Sequence, residues 1–272
     1  MIKIAHEAPL CIMPHVREMT DYCYALVHLF EECSEYYDYF LESKKLGRTV
    51  LLDNSIFELG VAFDSDKFAS WVEKLQPQEY IVPDSLEDTD TTIKNFDKWL
   101  STYKDLPGKK IGVVQGKTYK EIVECYKYLS DKADKIAISF DYSYYLVTAL
   151  GINKYHQYCN GRYHLINSLL DGGFINTNKP HHLLGCSLPV EFGFYGSNYA
   201  KYKFIDSLDT SNPVVNGMHN IKYESLGVKD KLSIKLIECF YVKSVKKEGL
   251  DLIDYNIKQF RNIAHTTQLT KN

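Results

Sequence analysis

The stretch "KIGVVQGKTYKEIVECYKYL" (residues 110–129) joins two different patterns of apolar residues. Its first part, residues 110–116, is a short β-branched run closed by a polar residue and glycine, which is typical of a strand buried on both faces of a sheet. The second part, residues 118–129, places apolar side chains at helical spacing, at Ile122, Cys125, Tyr126 and Leu129. A buried strand followed by an amphipathic helix is the repeating unit of a parallel α/β fold.

Runs of the same kind recur along the chain. They are "TVLLDNS" (49–55), "EYIVPDS" (79–85), "KIAISFD" (135–141), "HHLLGCS" (181–187) and "KFIDSLD" (203–209), with "IKIAHEAP" and "YALVHLF" as two further candidates near the N-terminus. Helical patterns lie over residues 31–47, ending on Gly47, over 66–75 and over 250–264. About eight strands that alternate with helices predict a (β/α)8 TIM-like barrel, formed as a single domain over residues 1–272, rather than an open doubly wound sheet.

Composition and charge restrict the class of protein. The chain is 45% hydrophobic and 25% charged, which is ordinary for a folded soluble protein. The N-terminus has no signal-like segment and no stretch is long enough to span a membrane, so a cytoplasmic protein is expected. Seven cysteines occur without any CxxC pair, which argues against a zinc ribbon and against a disulfide framework.

The charge distribution leaves the partner open. A net charge of −3 does not indicate a nucleic-acid-binding protein. Residues 201–272, however, hold 12 Lys or Arg against 8 Asp or Glu. This local excess could face a phosphate backbone, or it could be a solvated surface.

Polar side chains collect where the predicted strands end. In a parallel barrel the loops that follow the strands form the active-site face, so these side chains are expected to converge. They are Asp53, Asn54, Asp84, Gln115, Ser139, Asp141, Asp206 and Asp209. An Asp after a strand often caps the next helix, but Asp88 or Thr89 is better placed than Asp84 to cap the helix that follows. Neither a GxGxxG nor a P-loop motif is present, so the sequence predicts a site of carboxylates with one carboxamide.

Five of these segments resemble motifs of the tRNA-guanine transglycosylases, and more closely of the smaller phage relatives that insert 7-deazaguanines into DNA. They are "VLLDNSIFELG", "IVPDS", "IGVVQGKTYKEI", "HLLGCSLPVEF" and "FIDSLDTSNPVVNG", which span roughly residues 49–217. The resemblance implies that Asp53, Asp84 and Gln115 with Gly116 belong to the site. Asp206 lies 11 residues before Gly217, the family's spacing for the nucleophile, which favours Asp206 over Asp209.

Base exchange at a glycosidic carbon explains why these residue types are needed. A carboxylate, here Asp206, can trap the oxocarbenium-like sugar as a covalent ester, and a second carboxylate, Asp53, can carry the proton of the departing base. Asp84 can accept from the N1–H and N2–H groups of guanine, while Gln115 can donate to O6. Other residues expected around the base are Asn54, Gly116, Ser139 and Asp141, with stacking rings at Phe57, Phe140, Tyr142 and Tyr144.

The chain also departs from the family. The zinc-binding Cys/His cluster that follows the nucleophile segment is missing, so no metal and no cofactor are expected. Ile56 and Glu58 stand where the family has Gly and Gln, and "AISFDYSY" lacks the glycines of the loop over the base. Without the zinc subdomain a tRNA-docking element is lost, which favours DNA as the substrate.

The expected partners are therefore DNA, single-stranded or with a flipped guanine, and a free 7-deazaguanine base, with no membrane. A homodimer is possible, and a phage-encoded protein would act in the host cytoplasm. Three alternatives stay open: the same exchange on tRNA, a non-catalytic deazaguanine-binding accessory subunit, and an unrelated barrel enzyme acting on small metabolites.

Overall fold

Eight parallel strands form a nearly closed barrel in the computed structural model, which describes residues 1–265. The strands are β1 (Lys3–His6), β2 (Cys23–Leu26), β3 (Val50–Asp53), β4 (Glu79–Ile81), β5 (Lys109–Val113), β6 (Lys135–Ser139), β7 (His181–Leu184) and β8 (Ile205–Thr210). Their order around the sheet is β1-β8-β7-β6-β5-β4-β3-β2. Each predicted run supplies one strand, so the predicted (β/α)8 barrel is confirmed.

The seam between β1 and β2 is closed by side chains of the segment that joins the two strands. The Thr20 hydroxyl donates to the Ile4 carbonyl at 3.0 Å and accepts from the His6 amide at 2.9 Å. Asp21 donates its amide to the same Ile4 carbonyl and accepts from the Ile4 amide through Oδ2 at 2.8 Å. These bonds satisfy the backbone groups of β1 that a strand ladder would otherwise pair.

Helices alternate with the strands. They are α1 (Met13–Arg17), α2 (His28–Glu32), α3 (Ser34–Lys45), α4 (Ile56–Leu59), α5 (Ser65–Leu75), α6 (Thr89–Thr102), α7 (Tyr119–Lys132), α8 (Ser143–Thr148), α9 (Lys154–Asp171), α10 (Val190–Ser197), α11 (Asn212–Met218) and α12 (Lys247–His265), with 3₁₀ turns at Leu10–Ile12 and Leu236–Cys239. None of the helices within residues 1–265 is long and apolar enough to cross a lipid bilayer. The predicted single domain over 1–272 stays a prediction, and residues 266–272 lie outside the described part of the chain.

Local sequence signals explain where two of the longer helices begin. Asp88 accepts from the Thr91 amide at 3.0 Å and caps α6, as expected, so Asp84 is not needed as a cap. Thr118 and Glu121 form a capping box at the start of α7. The predicted apolar face of α7 is buried, and each such side chain contributes roughly 1.5–3 kcal/mol by leaving water.

The amino-terminal end of the barrel is closed by a buried lysine. Lys135, at the start of β6, is 1% exposed, and its Nζ lies 2.8 Å from Glu79 Oε2 and 2.8 Å from Asp206 Oδ2. Lys3 Nζ contacts the other oxygen of Asp206 at 3.1 Å. A buried cation needs such partners, so this cluster stabilises the end of the barrel opposite to the carboxyl ends of the strands.

Candidate active site

A cavity of about 630 Å³ opens at the carboxyl ends of the strands. This volume lies within the range of small-molecule sites. Seven carboxylates line the cavity, those of Glu7, Glu32, Asp53, Glu58, Asp84, Asp141 and Asp209, with the lysines Lys154, Lys231 and Lys235. Within residues 1–265, no three His, Cys, Asp or Glu side chains are placed to hold a metal ion together.

Asp84 is fixed by two amide side chains. Asn54 Nδ2 donates to its Oδ1 at 2.8 Å, and Gln115 Nε2 donates to its Oδ2 at 2.6 Å. Each amide is oriented in turn, because Asn54 Oδ1 accepts from the Ile56 amide and Gln115 Oε1 accepts from the Glu87 amide. Burial raises the pKa of Asp84, and the two side-chain hydrogen bonds oppose the shift. The predicted grouping of Asn54, Asp84 and Gln115 is thus present in the structure.

Asp53, the last residue of β3, is a second buried carboxylate. Tyr24 donates its hydroxyl to Asp53 Oδ2 at 2.5 Å, and the Ser55 amide donates to Oδ1. Ser55 is left-handed, with φ of 61°, and this tight turn returns its amide to the carboxylate. Burial raises the pKa of Asp53 well above its usual value, and the charges of Glu58 and Asp209 add to the shift. Such a group can hold a proton near neutral pH.

Asp209, near the end of β8, is held from two directions. Its Oδ1 accepts from His182 Nε2 at 3.0 Å and from the Gly185 amide at 3.1 Å. Burial lowers the pKa of His182, so the ring is neutral, with its hydrogen on Nε2 and with Nδ1 facing Ser207 Oγ at 3.0 Å. The Tyr24 ring stacks on His182 at 6.0 Å between centroids. Tyr24 therefore connects the supports of Asp209 and Asp53.

The prediction that Asp206 joins this site is wrong. Asp206 lies at the amino-terminal end of β8, where it binds Lys3 and Lys135, and it does not line the cavity. The two aspartates are three residues apart on one strand, which separates their Cα atoms by roughly 10 Å. The spacing to Gly217 favoured Asp206, but in the structure only Asp209 lies at the carboxyl end of β8.

Gly116 does not line the cavity either. A Cβ at this position would lie 2.9 Å from Glu121 Cβ and 2.9 Å from the Ile122 amide nitrogen. Its role is therefore to let the chain pass close to the first turn of α7, and not to contact a substrate.

The remaining predicted residues divide between the cavity wall and the hydrophobic core. Ser139 donates to Asp141 Oδ1 at 2.7 Å, and burial raises the pKa of Asp141. Phe57 is 43% exposed, with its ring centroid 5.6 Å from that of Phe140. Tyr142 and Tyr144 are not lining residues; Tyr142 is buried and donates to the Val114 carbonyl, and Tyr144 packs on the core. The tyrosines that reach the cavity are Tyr24, Tyr155 and Tyr158.

Two parts of the cavity wall were not predicted. Glu7 directly follows β1, and burial raises its pKa well above the usual value, with further contributions from Asp209, Glu58 and Asp53. Applying the strand-end rule to "IKIAHE" would have found it. Residues 231–237, which carry no periodic pattern, also line the cavity, and Lys231 Nζ donates to the Cys186 carbonyl at 2.9 Å.

Glu58→Gln is expected to raise the free energy of unfolding at about pH 8, by on the order of 1 kcal/mol after allowance for partial exposure. Burial raises the pKa of Glu58 from 4.5 to about 7, so the folded protein holds this proton more tightly than the unfolded chain. The carboxylate therefore costs stability above about pH 7, and the cost disappears as the pH falls toward 4.5. Urea unfolding at about pH 8 and about pH 5 measures the difference, and an equal gain at both values would contradict it.

The fold and the cavity together define a (β/α)8 barrel with a carboxylate-rich site at the carboxyl ends of its strands. No family model and no curated protein matches this chain.

Proposed function

We propose that this protein is a base-exchange transglycosylase that replaces guanine in DNA with a 7-deazaguanine derivative. One observation carries the proposal: Asp53, Asp84, Gln115 and Asp209 line a single cavity at the mouth of the barrel. The proposal keeps the residue types that the motif resemblance selected and assigns the role of nucleophile to Asp209 in place of Asp206.

Asp84 and Gln115 together complement the hydrogen-bonding edge of a guanine ring. Asp84 offers acceptor lone pairs for N1–H and N2–H, and Gln115 directs one amide hydrogen to Asp84. Among the described residues the second hydrogen on Gln115 Nε2 has no acceptor, so it is available to the O6 atom of the base. Adenine presents the opposite pattern at these positions, and a buried site with fixed amides should reject it strongly.

Asp209 and Asp53 have different roles in the proposed reaction. A carboxylate oxygen of Asp209 bonds to C1′ as the C1′–N9 bond breaks, and Asp53 gives its proton to the departing guanine. The incoming base then returns a proton to Asp53, attacks C1′ and releases the Asp209 carboxylate. The raised pKa of Asp53 supports this role, because the group must carry a proton in one half of the cycle and lose it in the other.

Isotope exchange tests the proposal without knowledge of the 7-substituent. Purified protein is mixed with labelled guanine and with DNA or tRNA, and the label in each polymer is counted. We expect label in DNA. Label in tRNA alone would make tRNA the substrate, and tight binding of a 7-deazaguanine without any incorporation would favour the accessory-subunit alternative.

A further inference from the structure

Residues 146–152, called here the 146–152 loop, comprise the last turn of α8 and most of the segment that joins it to α9, and they expose large aliphatic side chains. Val147 is 81% exposed, Leu150 90% and Ile152 87%. Single exposed apolar residues are common, but three within six residues form a patch, and such patches on a soluble protein mark contact surfaces.

The backbone of this loop is held firmly. Gln157 Nε2 donates to the Leu146 and Ala149 carbonyls at 3.2 and 3.3 Å, and Asn160 Nδ2 donates to the Leu150 carbonyl at 2.8 Å. A Cβ on Gly151 would lie 2.6 Å from the Gln157 amide nitrogen, so the loop lies directly against α9. The aliphatic side chains are therefore presented outward by a backbone that is already ordered before binding.

The loop lies between two stretches of the cavity wall along the chain, although none of its own residues lines the cavity. It follows β6, whose end supplies Ser139 and Asp141 to the cavity, and it precedes Lys154 and Tyr155, which line the cavity too. Other exposed apolar side chains lie on the same face of the barrel, namely Phe57, Leu59 and Val61 after β3 and Leu86 after β4. Exposed apolar side chains thus occur at the carboxyl end of the barrel, where the cavity is lined by several carboxylates.

A cationic segment adjoins the loop. Residues 219–247 contain seven lysines (Lys222, Lys229, Lys231, Lys235, Lys243, Lys246 and Lys247) against Glu224, Asp230 and Glu238. The start of α9 holds this segment, because Asn153 Nδ2 donates to Asp230 Oδ1 at 3.1 Å and His156 Nε2 lies 2.9 Å from the Lys229 carbonyl. Aliphatic and cationic surfaces thus lie side by side next to the cavity mouth.

We propose that the 146–152 loop is a wedge that enters the base stack of duplex DNA beside the nucleotide that is extruded into the cavity. This inference rests on the proposed function. Extrusion leaves a gap and costs unstacking energy, and aliphatic side chains inserted between base steps fill such gaps in other DNA-distorting proteins. The exposed lysines of the neighbouring segment, which do not include Lys231 in the cavity wall, contact the phosphates, and this favours a polyanion over a protein as the occupant of this surface.

The test uses a triple variant, Val147→Ser, Leu150→Ser and Ile152→Ser. Guanine exchange is measured on one target guanine, placed either in a duplex or in the corresponding single strand. We expect the triple variant to lose about tenfold or more of the duplex rate while it keeps the single-strand rate, because only the duplex requires unstacking. Leu46→Ser is the matched control: Leu46 is 58% exposed but lies between α3 and β3, at the opposite end of the barrel.

A second readout separates this inference from the proposed function. 2-Aminopurine placed next to the target guanine reports unstacking by its fluorescence, without any chemistry. We expect an increase on binding of the wild type and of Leu46→Ser, and no increase with the triple variant. Absence of exchange on every substrate would overturn the proposed function, while the fluorescence would still decide on the wedge.

Three results would overturn the wedge. One is full duplex activity of the triple variant, and another is a wild type that acts on single strands only. The third is a wild-type dimer that the triple variant converts to a monomer in size-exclusion chromatography, because the loop would then be an interface between two copies of this chain.

Discussion

Asp209→Asn is expected to lower the rate of base exchange by roughly 10⁴-fold, because an amide cannot form the ester with C1′. The fold should be retained, since the asparagine side chain keeps an oxygen that can accept from the Gly185 amide and from His182, which both bind Asp209 in the wild type. The measurement is incorporation of labelled guanine into DNA, with circular dichroism to verify the folded state. A covalent protein–DNA adduct on a denaturing gel should form with the wild type and be absent with Asp209→Asn.

Asp206→Asn is the matched control on the same strand. It removes one carboxylate from Lys135, so we expect lower stability, by about 1–3 kcal/mol, with exchange retained at temperatures where the protein is folded. The two variants should thus give opposite patterns. If Asp206→Asn abolishes exchange in a folded protein and Asp209→Asn does not, the assignment of Asp209 as nucleophile is wrong.

Arg162→Met is expected to lower the free energy of unfolding by about 3–5 kcal/mol. Arg162 on α9 is fully buried and makes a two-bond ion pair with Glu191 on α10, at 2.7 Å from Nε to Oε1 and 3.0 Å from Nη2 to Oε2. Its guanidinium also donates to the Leu184 and Gly185 carbonyls at 2.7 and 2.9 Å. Methionine fills a similar volume but leaves a buried carboxylate and three carbonyls, including that of Ile138, without the guanidinium as a donor. Urea unfolding measures the loss.

The double variant Arg162→Met with Glu191→Leu separates the ion pair from packing. Removal of both charges should restore part of the lost stability, since the largest penalty comes from a buried carboxylate without its cation, while the buried Tyr195 hydroxyl loses its acceptor on Glu191. A double variant less stable than Arg162→Met would contradict this account. We also expect Arg162→Met to slow base exchange, because Arg162 binds the Gly185 carbonyl and the Gly185 amide binds Asp209.

The barrel was predictable because its strands are buried on both faces and therefore appear as continuous apolar runs. The α7 helix was equally clear, since its capping residue and its apolar face agree. The predicted helix over 31–47 is interrupted: extended Cys33 separates α2 from α3. Local sequence does not indicate such a break, because it depends on how the chain leaves β2 toward the mouth of the barrel.

The site was predictable in part. Asp53, Asp84 and Gln115 each follow an apolar run and needed only the rule that strand ends converge. The run "KFIDSLD" has one aspartate in its middle and one at its end, and only the position of Lys135 in three dimensions decides which one forms an ion pair. The part of the cavity wall formed by residues 231–237 could not be predicted from the spacing of apolar residues. Most of this segment is neither helix nor strand, and its path is set by its contacts at the cavity.

The separation of Asp206 and Asp209 on β8 affects how the sequence of this protein can evolve. Asp206 contributes to the stability of the barrel, whereas Asp209 is the proposed nucleophile, and only two residues separate them on β8. Substitutions near Asp209 can therefore change the substrate preference at the carboxyl end of the barrel and leave the ion pairs at the amino-terminal end intact.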